Sequence, residues 1–344
     1  MADTGIPGPA PPAPPSWATL VVASCNLLNL SLPGRLTYAN QPPLDEADYR
    51  RKLGWLGAMF ARLNADIVGV QEVWDEAALK DAVAQSGLRY TQVVAPGAEA
   101  GALGTPRVGL FTRLAVEGVE SITDFAPEDH VPLPEMGTVT RFERPLLHAR
   151  LRLKHGQPLH VGVAHLKSKR PKFLENEAGQ VIDDTDDPLR AARAALRSLI
   201  VRAAEAAALR RWVIGLTHRT REPLLLLGDL NDGPQSVTSQ LIAATSAAAY
   251  DREARDVALY HAWDVATEPA LRRDKAYSHV HQGWPDLLDQ VWVSEEFVAG
   301  SKHALGDVRR VEVFNDHLHE GRERWRSDHG FVRALLRVRL PGPA

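Results

Sequence analysis

The feature that most constrains this chain is an alternation of two apolar patterns along its length. Short runs rich in leucine, valine and isoleucine are separated by stretches whose apolar residues recur at helical spacing. Residues 19–25 and 66–70 read as strands; residues 46–63 and 76–85 read as amphipathic helices. From 90 to 163 the pattern changes to short strands (90–95, 108–112, 146–153 and 159–164) separated by turn residues such as His155-Gly156, which suggests a meander. A helix is expected from Pro188 to about residue 216, with Asp186-Asp187 supplying the acids favoured at its start. The unbroken run Leu224-Leu225-Leu226-Leu227 then reads as a buried strand, and further strands are expected at 287–294, 308–313 and 331–338. So many strands in one body suit two sheets packed face to face and flanked by helices better than one very wide sheet. The body from residue 17 to 344 is expected to be a single domain, and residues 1–16 a disordered proline-rich tail.

Composition narrows the function classes. With 344 residues, 44% of them hydrophobic and 24% charged, the chain can bury a sizeable core. A formal charge of −3 supplies no global field for nucleic acid or membrane, so an anionic substrate has to be gripped locally. A single cysteine, Cys25, excludes an intramolecular disulfide framework and a cysteine-rich zinc site, and it suits a reducing compartment. The most apolar long stretch, 195–216, is interrupted by Arg197, Arg202, Glu205, Arg210 and Arg211, so no membrane span is expected. The start of the chain carries no basic segment followed by an apolar one, and a cytoplasmic protein is expected.

Polar residues collect at strand ends. Asn26 ends the first strand, Glu72 follows the second, His165 follows Val161-Gly162-Val163-Ala164, and Asp229 and Asn231 follow the leucine run. Asp289 lies within the 287–294 strand, and Asp328-His329 precede the last one. Ligands of α/β sheets bind beyond one edge of the strands, so residues scattered in sequence can converge there. Singly, each has a plainer use as a cap, turn former or satisfied histidine; together they form a candidate site. Glu72, Asp328 and Asn26 offer hard oxygen ligands for Mg²⁺ or Mn²⁺. Two histidines and an Asp/Asn pair can hold a phosphate oxygen, orient water and move protons. The set suits phosphate ester hydrolysis. Serine-hydrolase, Walker, dinucleotide and zinc-protease motifs are absent. The acidic run 183–187 is expected to start the long helix rather than to bind Ca²⁺, and the tryptophans, apart from Trp17, are expected mostly in the core, with no stacking array readable from sequence.

Six segments in order, Ser24-Cys25-Asn26-Leu27, 66–73, Val163-Ala164-His165, Leu227-Gly228-Asp229-Leu230-Asn231, Leu288-Asp289-Gln290-Val291 and Ser327-Asp328-His329, resemble the endonuclease/exonuclease/phosphatase superfamily, nearest to its bacterial nuclease-like members. The resemblance implies a four-layer α/β/β/α sandwich. It implies that Glu72 is the principal metal ligand with Asn26 and Asp328 close by, that Asp229 orients or deprotonates the attacking water, and that Asn231 contacts a phosphate oxygen. His329, oriented by Asp289, corresponds to the histidine that binds the scissile phosphate. His165 corresponds to a leaving-group acid, although Thr105 stands where its supporting carboxylate is expected. Arg144 corresponds to an arginine before the strand leading to His165, a structural ion pair being the other reading; Lys167, Lys169, Arg170 and Lys172, which follow His165 directly, either grip flanking phosphates or are solvated surface cations. Nucleic acid is then the expected substrate; a small-molecule or lipid-headgroup phosphate ester and a silent binding module are the alternatives.

Overall fold

The computed structural model describes residues 16–97, 105–244, 247, 250–251, 253–268 and 276–340. Most of the proline-rich tail expected at 1–16 lies outside the described residues. In chain order the elements are β1 (Trp17–Leu30), α1 (Glu46–Leu63), β2 (Ile67–Val73), α2 (Glu76–Gln85), β3 (Gln92–Val94), β4 (Arg107–Thr112), β5 (Ala115–Asp124), β6 (Val131–Leu133), β7 (Gly137–Val139), β8 (Arg141–Arg152), β9 (Pro158–His165), α3 (Pro188–Thr217), β10 (Leu224–Asp229), α4 (Val237–Ala243), β11 (Leu259–His261), β12 (His279–His281), β13 (Trp284–Asp286), β14 (Asp289–Ser294), β15 (Gly306–Phe314) and β16 (Phe331–Arg339). Two six-stranded mixed sheets form, ordered β15-β16-β1-β2-β4-β3 and β11-β14-β10-β9-β8-β5.

The layering follows from side-chain alternation. In β1, Leu20 and Val22 face the second sheet, whereas Ala23, Cys25 and Leu27 face α1 and α2. In β10, Leu225 and Leu227 face the first sheet, whereas Leu224 and Leu226 face α3. Both faces of these strands are therefore buried, which is why their sequences read as apolar runs. Each buried branched side chain contributes about 1.5–3 kcal/mol relative to exposure. Helix α1 meets its sheet through Leu53, Leu56, Phe60 and Leu63, and Asp45 caps it by accepting from the Asp48 N–H. Gly69 sits where the sheets approach closely: a Cβ there would lie 3.0 Å from both Leu227 Cβ and Val163 Cγ2.

The expected elements are present, with differences at their ends. β1 runs five residues beyond residue 25, and β5, absent from the expectation, is an edge strand with mostly exposed side chains and little apolar signal. The hairpins β6–β7 and β12–β13, the short β11 and α4 were also not foreseen, because three-residue strands and a seven-residue helix carry no periodicity. The acidic run does start α3: Asp187 accepts from the Leu189 N–H, and Asp183 pairs with the buried Arg197 at 3.1 Å. Among the described residues no helix is long and apolar enough to cross a membrane.

Candidate active site

The inward-facing series of the strands continues, past the end of the apolar core, into polar residues. After Val161 and Val163 the next inward position is His165; after Leu225 and Leu227 it is Asp229; ahead of Val291 and Val293 it is Asp289. Sheet register then places the three in one row, with Asp229 opposite His165 on one side and Asp289 on the other. From the other sheet, Asn26 is the next inward residue after Val22 and Ser24, and it reaches across to donate from Nδ2 to Asp229 Oδ2 at 3.0 Å.

Glu72 breaks the alternation. Val68 and Val70 face the helices, and strict pleating would send Glu72 with them. Register shifts interrupt β1 after Asn26 and β2 after Val70, and Leu28, Asn29 and Glu72 all adopt left-handed backbone, with Glu72 at φ 61°. Such bulges re-aim a side chain at a cost of about 1–3 kcal/mol per strained residue. Here the Glu72 carboxylate accepts from Asn26 Nδ2 at 3.3 Å and from the Asn29 N–H at 3.0 Å. Asn231 is also left-handed, at φ 53°.

Asp229 is the hub. Its Oδ1 accepts from the Asn231 N–H at 2.9 Å, and its Oδ2 lies 3.5 Å from His165 Nε2 and 3.9 Å from His329 Nε2. Burial raises its pKa above the ordinary aspartate value, opposed by the His329 charge. His329 Nδ1 lies 2.7 Å from Asp289 Oδ2. Burial disfavours its charged form, but Asp289, Asp229 and Asp328 outweigh burial and hold the imidazolium well above the usual histidine range. His165 differs: burial, then Arg144, His329 and Lys167, push its pKa well below the histidine range, and its Nδ1 has no hydrogen-bond partner. Thr105 is exposed and does not support it. The surroundings of His165 thus disfavour the charged form that a leaving-group acid uses.

Arg144 reaches the same place from β8, donating from a guanidinium nitrogen to the Leu166 carbonyl at 3.3 Å; its buried Nε has no partner. Asn231 Nδ2 donates to the same carbonyl at 2.9 Å. Lys167 is placed otherwise than the phosphate-gripping expectation: its buried Nζ donates to the Ser168 and Arg170 carbonyls at 3.2 Å each and so fixes its own loop. Burial lowers its pKa to about 8.

Sequence reading missed several supporting groups. Buried Glu205 on α3 accepts from the backbone N–H of Glu143 at 2.9 Å and of Lys167 at 2.6 Å, tying together the segments that carry Arg144 and His165. Its only signal was that it is the one carboxylate in a helix whose other charged residues are arginines. Ser278 Oγ accepts from the Leu288 and Asp289 N–H groups, and Ser327 Oγ donates to the Asn26 carbonyl at 2.7 Å while accepting from the His329 N–H. Lys52, fully buried on α1, donates to the Arg324 carbonyl at 3.3 Å; burial lowers its pKa to about 8 against the pull of Glu72 and Asp328.

The donors fit a small hard cation. Glu72 is half-buried and its pKa is raised, first by desolvation and then by the Asp328 charge, a like-charge conflict that a divalent ion would relieve. Asn26 turns its amide nitrogen, not its oxygen, toward the carboxylates, so it ligates only if the amide turns over. Asp229, Asp289 and His329 also bring one donor atom each within 4.8 Å of one another, a buried group able to hold a metal ion, and Asp289 Oδ1 has no hydrogen-bond partner.

Two packed mixed sheets with acid, amide and histidine side chains converging at one end define a phosphoesterase-type sandwich. The model of the Endonuclease/Exonuclease/phosphatase family matches residues 23–329, and the chain belongs to that family, whose members are phosphoric ester hydrolases and typically metal-dependent. No curated protein matches the chain. Among solved structures it is similar to an endonuclease/exonuclease/phosphatase family protein from Bacteroides thetaiotaomicron (TM-score 0.57, 15% identity, covering 94% of this chain and 99% of that one). It is also similar to a mannosyl-6-phosphatase of the same organism (0.55, 17%, 92% and 99%) and to the human Nocturnin catalytic domain with bound sulfate (0.55, 16%, 94% and 97%). At these identities the likeness concerns the fold.

Proposed function

We propose that this protein is a divalent-metal phosphodiesterase that hydrolyses nucleic acid by attack of water on phosphorus. The observation that carries the reading is the setting of Asp229, whose Oδ2 faces Asn26, His165 and His329 together. A water beside that oxygen meets a buried carboxylate of raised basicity, which orients it and takes its proton. The His329 imidazolium, Arg144 and the second N–H of the Asn231 amide are positioned to stabilise the phosphate oxygens as charge builds on them. His165, whose charged form its surroundings disfavour, serves in this reading as a hydrogen-bonding group. Glu72 and Asp328, with Asn26 beside them, would hold Mg²⁺ or Mn²⁺, which would supply Lewis-acid stabilisation of the phosphate. Arg170, exposed on the loop after His165, adds a positive charge for a flanking phosphate, whereas Lys169 on the same loop is paired with Asp286 and Asp232.

A second reading, a small-molecule phosphate ester, is favoured by one observation: a cavity of about 340 Å³, lined by Leu28, Leu44, Val280, Leu318 and Asp328, opens beside the acidic pair. The test is a substrate panel of plasmid, single-stranded DNA, RNA, bis-p-nitrophenyl phosphate and p-nitrophenyl phosphate, each with Mg²⁺, Mn²⁺ or EDTA. Metal-dependent cleavage of a nucleic acid and of the diester, with the monoester far slower, is expected. Hydrolysis confined to the monoester would overturn the nuclease reading.

A further inference from the structure

Next to the catalytic row stands the hairpin β12–β13, closed by Gln282 and Gly283, both with positive φ (49° and 84°), the backbone of a tight two-residue turn that keeps the hairpin twisted and stiff. His279 pairs with Asp286 and His281 with Trp284, so these four side chains share one face, while Val280 and Pro285 take the other. On that face the rings form a stripe that starts in the catalytic site. The His279 ring lies against His329, centroids 4.7 Å apart, and the His281 ring lies parallel to His279 at 6.4 Å, with an interplanar angle of 17°. Cross-strand from His281, at the tip, Trp284 is 79% exposed. A tryptophan this open contributes little to the core, and its face is free for a planar group. Lys169, from the loop after His165, anchors the hairpin on the same face through Asp286 at 3.0 Å, and also lies 3.4 Å from Asp232.

We infer that this face is a stacking wall for an unpaired nucleic-acid strand: when a phosphate is seated at His329, a neighbouring base lies on His281 and Trp284. The inference rests on the nuclease reading and names the form of its substrate. A single strand is the occupant because its bases present free π-faces, whereas duplex bases are already stacked. The stripe begins at His329, the residue that holds the phosphate, so a cationic phosphate seat and exposed ring faces adjoin, the combination that binds single strands with little sequence preference.

The test uses fluorescein-labelled, non-hydrolysable phosphorothioate 12-mers in Mg²⁺, one all-thymine and one fully abasic with the same backbone, titrated with wild type, Trp284→Ala and Trp284→Phe by anisotropy, alongside cleavage of the ordinary thymine 12-mer. Trp284→Ala should weaken binding of the thymine strand by about fivefold or more, the range of base–aromatic stacking, with Phe restoring most of it and the abasic strand changing less than about twofold. Equal losses on both strands, or no loss on either, overturn the wall. If Trp284→Ala weakens thymine binding as stated but wild type cuts no oligonucleotide, the wall stands and the nuclease reading falls. If wild type cuts the strand and Trp284→Ala binds it unchanged, the wall falls alone.

Discussion

The sharpest test of the catalytic geometry is Asp289→Asn. Asp289 is fully buried, its Oδ2 lies 2.7 Å from His329 Nδ1, and its N–H is fixed by Ser278. The substitution keeps shape and one acceptor but removes a full negative charge from beside the imidazolium. Two unit charges about 4 Å apart at an effective dielectric of about 20 attract by about 4 kcal/mol, and truncating a buried charge pair typically costs 3–5 kcal/mol. Asp229 and Asp328 remain and continue to favour the cation, so the loss is partial. Even half of that energy, expressed in the transition state, is a rate loss of at least roughly 30-fold. The sign in pH is fixed by the same argument. His329 is held above its ordinary range, so the charged form required to stabilise the phosphate persists to alkaline pH in the wild type. Without Asp289, burial is opposed by fewer charges, the proton is lost earlier, and the alkaline limb of kcat against pH moves toward acid. The assay is the pH profile of kcat on bis-p-nitrophenyl phosphate, with the His329 ring followed by NMR titration. An alkaline limb and ring titration both unmoved in a folded variant would refute the assignment.

Other expectations follow from neighbouring groups. Glu72→Gln should raise the Mg²⁺ concentration needed for half-maximal rate with a smaller effect on kcat at saturating metal, whereas Asp229→Asn should lower kcat on the order of 10²-fold or more at any metal concentration; metal titrations of both separate the roles. His165→Ala should slow a natural diester and an activated aryl ester by the same factor, since its surroundings disfavour the imidazolium and the N–H of an uncharged ring is too weakly acidic to protonate a leaving group; a larger loss on the poorer leaving group would restore the acid role. Burial raises the Glu205 pKa to about 7, so the native state binds the extra proton and this group's contribution to stability falls as pH rises from about 4.5 through 7. That slope amounts to about 3 kcal/mol at most and should flatten in Glu205→Gln; parallel urea denaturations at pH 5 and pH 8 decide it.

The sequence by itself determined the layers and most of the chemistry. Runs such as Leu224–Leu227 are legible because strands buried on both faces need apolar residues at every position, and α1 and α3 because their burial has a 3.6-residue period. Asp229, Asn231, His165 and Asp328-His329 stood out because polar groups bordering such runs require a reason. What only the tertiary structure decided is where each of these side chains points. Register, not spacing, puts His165, Asp229 and Asp289 in one row. Two left-handed bulges, invisible to any propensity, turn Glu72 out of the helix layer and into the site. The pKa values of the two histidines move in opposite directions although both are buried, because burial, reinforced by Arg144, acts on His165 while Asp289 outweighs it at His329. Lys167 reads in sequence as a phosphate grip, yet its ammonium is fixed by its own loop. Glu205 and Trp284 mark the limit in opposite ways: a carboxylate within an arginine-bearing helix and a tryptophan beside a polar turn each look unremarkable until the chain folds. The role of Glu205 arises from partners 38 and 62 residues away in sequence and that of Trp284 from the face its hairpin shares with His279 and His281, and such partnerships are set by packing and pleat rather than by local pattern.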